Sequence, residues 1–179
     1  MNRSFASGRL CFSIMGIFLL FLPAVAQAKS SPPDKLESVY VSYKKELECL
    51  ARAIYFEARG EPEKGQEAVA LVVLNRVKSE YYPDTVCNVV YQNDHMRNAC
   101  QFSFACDGKP DTIKEEDAFE KAERIARNAL SCGDGHCESA NLFLRSTHYH
   151  ADYVSPRWAK KLQRTGHVGR HIFYYTASM

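Results

Sequence analysis

The chain has 179 residues, 46% of them hydrophobic, with 23 Lys+Arg against 21 Asp+Glu and a formal charge of +2. Arg3 and Arg9 are the only charged residues before Lys29, so the remainder is balanced. That balance leaves no global basic field of the kind that draws nucleic acid or an anionic membrane surface.

Residues 1–28 read as a secretory signal peptide: a basic start, an apolar run from Leu10 to Val25, and Ala26-Gln27-Ala28 as a small-x-small cleavage site. The run is shorter than the ~20 residues a spanning helix needs, so cleavage is expected, with no stable membrane insertion afterwards. The expected localisation is therefore exported, in a periplasm or outside the cell. Residues 29–37 form a polar linker containing Pro32 and Pro33. Residues 38–179 are long enough for one domain that buries its own core.

Cys11 leaves with the signal, and six cysteines remain. An even number in an exported chain reads as disulfides. Spacing favours Cys100–Cys106 and Cys132–Cys137 as local loops, leaving Cys49 with Cys87. The segment from Cys132 to Cys137 also has a superficial ligand pattern. It lacks the paired Cys or clean Cys/His set of a structural zinc site.

A helical pattern starts at about Glu37, with Leu47, Leu50, Ala51, Ile54 and Ala58 at three- and four-residue spacing. Gly60 suits the residue just past its end. Pro62 suits the first turn of a second helix, Glu63 to about Lys78, which is apolar almost all round and reads as central and buried. Val69 to Leu74 also fits a buried strand; its length and Pro start favour helix. Asp84 can cap a short helix through Val90. Residues 91–110 look irregular. Thr112 and Glu115 fit a capping box for a helix whose apolar face includes Ala118, Ala122, Ile125 and Ala129. Leu142–Tyr149 and Arg170–Tyr175 are rich in branched and aromatic residues and fit short strands.

The chemistry points first to Glu57, in Ile54-Tyr55-Phe56-Glu57-Ala58-Arg59-Gly60-Glu61-Pro62. Helix geometry sets it about 80° from the centre of the apolar stripe, with Phe56 on the opposite side. Apolar surroundings disfavour the charged carboxylate and raise its pKa, as a general acid requires. The competing reading is a helix-end Glu paired with Arg52 or Arg59. Glu61 and Glu63 read mainly as caps of the second helix. Gln101, Phe102 and Ser103, pinned between two cysteines, offer hydrogen bonds and a stacking ring to a sugar, against the plain reading of a disulfide loop. His148 and His150 share one face if extended, and with His171 could hold a metal. No His-Glu-x-x-His helix is present. Trp158 is a core anchor or part of a sugar platform. A second carboxylate of equal standing is not evident; Asp94, Asp107 and Asp152 are open.

Leu50-Ala51, Ile54-Tyr55, Glu57-Ala58-Arg59-Gly60-Glu61-Pro62, Gly65-Gln66 and Val73-Leu74-Asn75-Arg76-Val77 closely resemble the catalytic domain of SleB-type spore-cortex-lytic cell wall hydrolases. The resemblance continues through Tyr82 to Cys87, Cys100 to Gly108, Thr147 to Ala151, and Pro156 with Trp158. It ends at Gly169, His171, Phe173 and Tyr174, so it spans about residues 47–175. It implies a mainly α fold (α+β): a lysozyme-like helical domain with a small β-hairpin or short sheet. It also implies cleavage of peptidoglycan glycan strands, with Glu57 as catalytic acid and Gln101 and Ser103 as sugar contacts. Phe102, Tyr149, His150 and Tyr174 complete the expected substrate-binding set. The expected enzyme is a monomer using one catalytic Glu, as a lytic transglycosylase or muramidase, with no metal, other cofactor or nucleic acid. A zinc amidase and a non-catalytic peptidoglycan-binding module are the alternatives.

Overall fold

The computed structural model describes residues 35–96, 99–132 and 145–176. The expected signal peptide, residues 29–34 of the linker, Cys137 and the start of the expected strand from Leu142 lie outside them. Along the described chain run α1 (Lys35–Ala58), α2 (Glu63–Val77), α3 (Val86–Val90) and α4 (Glu116–Ser131). After them come β1 (His148–Ala151), β2 (Gln163–Val168) and β3 (His171–Tyr175). The fold is mainly helical with one short antiparallel sheet, ordered β1-β3-β2.

α1 starts at Lys35, inside the expected linker, because no Pro or Gly interrupts the chain from there to Ala58. Its C-terminal half packs against α2, α3 and α4. Leu50, Ala51, Ala53 and Ile54 are fully buried there. α2 lies between the other helices and the sheet. Ala70 and Val73 join the helical core, while Ala68, Val69 and Val72 pack with Ala58 and Phe173 of β3. Burial on two sides explains why this helix is apolar almost all round.

Several helix ends are capped differently from the sequence expectation. Gly60 does not take a left-handed conformation. Instead Glu61 N–H donates to the Ala58 carbonyl at 2.9 Å, and the buried Gln66 amide donates to the Glu61 carbonyl at 3.0 Å. Thr85, one residue after Asp84, caps α3 through Asn88 N–H, and Glu46 of α1 accepts from the Val86 and Cys87 amides. The Thr112–Glu115 capping box does not form. Tyr55 of α1 replaces it: its hydroxyl accepts from Lys114 N–H at 3.1 Å and Glu115 N–H at 3.2 Å, ahead of α4. The Val86, Cys87, Lys114 and Glu115 donors are satisfied from across the fold, which local patterns cannot register.

Glu63 stands in the first turn of α2 as expected, and both it and Glu61 also make long-range contacts. Glu63 pairs with Arg124 of α4 at 3.0 Å and Lys121 at 3.5 Å. Glu61 Oε2 accepts from Arg170 N–H at 2.8 Å, clipping the β2–β3 turn to the α1–α2 corner. Gly169 has φ +57°, and a Cβ there would stand 1.8 Å from Glu61 Oε2. The position therefore needs glycine for both conformation and space.

β3 is the central strand, and its pattern His171-Ile172-Phe173-Tyr174-Tyr175 matches the expectation from sequence. β1 begins at His148, so the described residues 145–147 of the expected strand are not part of it. β2, Gln163 to Val168, is polar, lies at the sheet edge and bulges between Arg164 and Gly166. That pattern gives no alternation to read. Disulfides join Cys49 to Cys87, bridging α1 and α3, and Cys100 to Cys106. The third expected bridge includes Cys137 and so lies outside the described residues. No described helix is long and apolar enough to cross a membrane.

Candidate active site

Glu57 occupies the last turn of α1 and is half-buried. Its neighbour Tyr55 is held in the core, and Phe56 stacks on Phe104 at 4.8 Å between centroids and 22° between planes. The carboxylate is therefore fixed on a rigid helix end. Glu57 also helps line a cleft of about 460 Å³, together with Phe56, Arg59, Gly60, Glu115 and Ala118.

Three groups converge on Glu57. Tyr149 of β1 donates its hydroxyl to Glu57 Oε2 at 3.0 Å. Ser103 offers both its backbone N–H and its hydroxyl, and the Arg76 guanidinium adds a positive field. All of these stabilise the charged form, yet burial outweighs them and holds the carboxyl above its ordinary range. Tyr149 is shifted in the same direction, by burial first and by the Glu57 charge next, so its hydroxyl keeps its proton and remains a donor.

Ser103 owes its position to a 3₁₀ turn, Ser103–Cys106, bracketed by the Cys100–Cys106 disulfide. Gln101 precedes that turn. Its backbone N–H donates to the Gln92 carbonyl at 3.0 Å. With its amide turned to complement the guanidinium, its oxygen accepts from Arg76 Nη1 and Nη2, at 3.1 Å each.

Arg76 links these parts and was not among the sequence candidates. It is 3% exposed. Its Nε donates to the Thr147 carbonyl at 2.8 Å, at the entry to β1, while its Cζ lies 5.4 Å from the centres of both Tyr82 and Phe102. Burial lowers its pKa from the ordinary guanidinium value. The available sequence signal was an arginine in an otherwise apolar helix, where a charge needs a specific partner.

The expected substrate-binding residues separate into two groups. Ser103 and Tyr149 stand at Glu57, and Gln101 is tied to them through Arg76. Phe102 is 2% exposed and belongs to the core, so it offers no ring face to a sugar. The Gln-Phe-Ser segment alternates, and its central ring turns inward. His150 and Tyr174 bond each other, Nε2 to hydroxyl at 2.9 Å, on the face of the sheet opposite Tyr149. Strand alternation places them away from Glu57.

The same alternation parts the histidines of the zinc alternative. His148 and His150 lie on the outer face, whereas His171 lies against Tyr149 and Phe173 on the inner one. Among the described residues, no group of three His, Cys, Asp or Glu side chains could hold a metal ion. Asp94 and Asp107 face His95 and Lys109, and Asp152 faces Arg170, so each sits among surface charges. The carboxylate that shares the Glu57 cleft is Glu115, and Arg59 Nε holds it at 2.7 Å.

Residues 60–174 match the protein-family model described as cell wall hydrolase. The chain belongs to that family. The match begins just after Glu57, at the α1–α2 corner. Among curated cell wall hydrolase relatives, the spore cortex-lytic enzyme of Oceanobacillus iheyensis is 30% identical over 128 residues, covering 72% of this chain and 41% of that protein. That of Halalkalibacterium halodurans is 30% identical over 149 residues, covering 83% and 40%. The chain thus spans less than half the length of these relatives. Among solved structures, the catalytic domain of Bacillus cereus SleB aligns with TM-score 0.54 and 29% identity, over 73% of this chain and 90% of that one. The catalytic domain of the germination-specific lytic transglycosylase SleB from Bacillus anthracis aligns with TM-score 0.55 and 29% identity, over 73% and 94%. The cell wall hydrolase fold, a helical domain carrying a small sheet, is common to all three.

Proposed function

We propose that this cell wall hydrolase is an exported, peptidoglycan-cleaving enzyme that uses Glu57 as its single catalytic carboxylate. The observation that carries the reading is the half-buried Glu57, held above the ordinary carboxyl range and contacted by Tyr149 and Ser103 at the edge of a cleft. A carboxyl whose pKa is raised by burial keeps its proton to higher pH and can deliver it to a leaving oxygen.

In the proposed reaction, Glu57 protonates the glycosidic oxygen between N-acetylmuramic acid and N-acetylglucosamine, and the C–O bond breaks. The resulting carboxylate is steadied by the Tyr149 hydroxyl and the Arg76 field. It then takes the proton of the muramic 6-hydroxyl, whose oxygen closes on C1 to give a 1,6-anhydro end. Attack by water instead gives a reducing end, the muramidase outcome. The pairing of Glu115 with Arg59 supports Glu57 acting alone. The Bacillus anthracis relative is a germination-specific lytic transglycosylase, which supports the anhydro route.

The proposed enzyme works as a monomer, and the proton transfers described need no metal or other cofactor. The Cys49–Cys87 and Cys100–Cys106 bridges support an oxidising compartment, periplasmic or extracellular. The deciding experiment is mass spectrometry of purified peptidoglycan digested by wild type and by Glu57→Gln. Wild type is expected to release anhydro-ended fragments, one water lighter than hydrolysed ones, and Glu57→Gln none. Fragment release by Glu57→Gln at the wild-type rate would overturn the assignment.

A further inference from the structure

Charge is divided unevenly along the sequence. Residues 29–144 hold 15 Lys+Arg against 20 Asp+Glu, whereas residues 145–176 hold six against one. Arg157, Lys160, Lys161 and Arg164 are exposed, and none has an acidic partner among the described residues.

The sheet gathers this charge around an aromatic cluster. Arg164 is the cross-strand partner of Tyr174, and Tyr174 is the partner of His148. Direct partners point to the same face, so Arg164, Tyr174 and His148 form a row on the outer side, opposite Tyr149. Trp158 packs on that row, with its centroid 5.4 Å from His148, 5.6 Å from His150 and 5.6 Å from Tyr174. Trp158 is only partly buried. It belongs to a 3₁₀ turn, Arg157–Lys161. Side chains three apart in such a turn share a side, which aligns Lys161 with Trp158 and Lys160 with Arg157.

We propose that Trp158 and its basic rim form a second binding surface for the peptidoglycan strand, gripping the carboxylates of its peptide stems while Glu57 acts on the glycan. The proposal rests on the peptidoglycan-cleaving reading of the Glu57 site. An indole held by three ring neighbours presents a rigid apolar face to a sugar or stem. Unpaired Arg and Lys around it suit carboxylates, which Arg can take in bidentate fashion. Stem carboxylates recur along the polymer, so a rim away from the cleft keeps the chain on its substrate between cuts. The neutral whole-chain balance conceals this surface because the acidic helical part offsets it.

The test uses the full chain carrying Glu57→Gln, so that the wall is not consumed, sedimented with purified peptidoglycan at low and high salt. Adding R157Q, K160Q, K161Q and R164Q together is expected to weaken binding by about tenfold or more at low salt, and the loss should shrink as salt screens the rim. Amidating the wall carboxylates should weaken the parent equally and leave the fourfold variant unchanged. All four positions are exposed, and an unchanged melting temperature confirms an intact fold. Undiminished binding by the fourfold variant, or equal binding to amidated wall, overturns the proposal. So does tighter binding to duplex DNA or phosphatidylglycerol vesicles than to wall. Fragment release by the Glu57→Gln chain would instead overturn the Glu57 assignment, so the two failures are distinguishable.

Discussion

The Tyr149 hydroxyl donates to Glu57 Oε2 at 3.0 Å, joining the last turn of α1 to a sheet strand 92 positions away. The bond favours the charged carboxylate, opposing the burial that favours the acid. Tyr149→Phe removes the donor, so the Glu57 pKa is expected to rise further. If protonated Glu57 is the acid, the alkaline limb of the pH–rate profile moves to higher pH. Fragment release measured from pH 4 to 9 checks this, and a shift to lower pH contradicts it.

Stability should depend on pH through two groups of opposite sign. Glu57 binds its proton more tightly folded than unfolded, so its contribution is present below 4.5 and is lost as pH rises through the folded value. His148 is lowered from 6.5 to about 4, by burial first and Arg76 next, so its contribution is present above 6.5 and is lost as pH falls through 4. Glu57→Gln is therefore expected to melt higher than wild type at pH 7, with the gain vanishing towards pH 4. His148→Gln should flatten the acid side of the wild-type curve. Thermal melts across pH measure both.

Arg76 ties the Thr147 carbonyl, the Gln101 amide and the field at Glu57 to one buried guanidinium. Arg76→Leu is expected to destabilise by about 3–5 kcal/mol, the cost of breaking a buried charged network from one side. Arg76→Lys keeps the charge but loses the fork, and should cost about 1–3 kcal/mol through polar groups left unmet. Urea denaturation of the three chains gives the order.

Gly169 and Glu61 meet at the corner where the β2–β3 turn touches the helices. Gly169→Ala is expected to cost about 2 kcal/mol or more, because φ is +57° and the added Cβ runs into Glu61 Oε2. Removing that carboxylate with Glu61→Ala should lower the cost of Gly169→Ala. A double-mutant cycle reads the coupling, and strict additivity would separate the two residues.

The Cys49–Cys87 bridge closes a separation of 38 residues. Replacing both cysteines with Ala is expected to remove about 3–4 kcal/mol by releasing the unfolded chain. Guanidinium midpoints under oxidising and reducing conditions measure it, and a variant as stable as the oxidised wild type contradicts it.

The helices were legible wherever local pattern and burial agree. The stripe from Leu47 to Ala58 and the two-sided apolar run of α2 each need only the residues they contain. Glu57 was legible for the same reason, as a carboxylate set among apolar neighbours at a helix end. Tyr149 was expected as a substrate contact; its bond to Glu57 required the sheet to dock on α2. The inward turn of Phe102 and the outward turn of His150 and Tyr174 depend on where one short turn and one strand begin, and a slip of one residue reverses each. β2 was not legible, because an edge strand with a bulge has little apolar alternation to display.

By itself, the sequence determined the order and type of the helices, two of the disulfide pairs, and the residue whose burial makes it chemically unusual. Those depend on spacing along the chain. The tertiary structure alone decided which donors reach Glu57, that Arg76 joins them, and that Glu115 shares the cleft with its charge held by Arg59. These are meetings between residues far apart in sequence, created when α2 is enclosed by helices on one side and the sheet on the other.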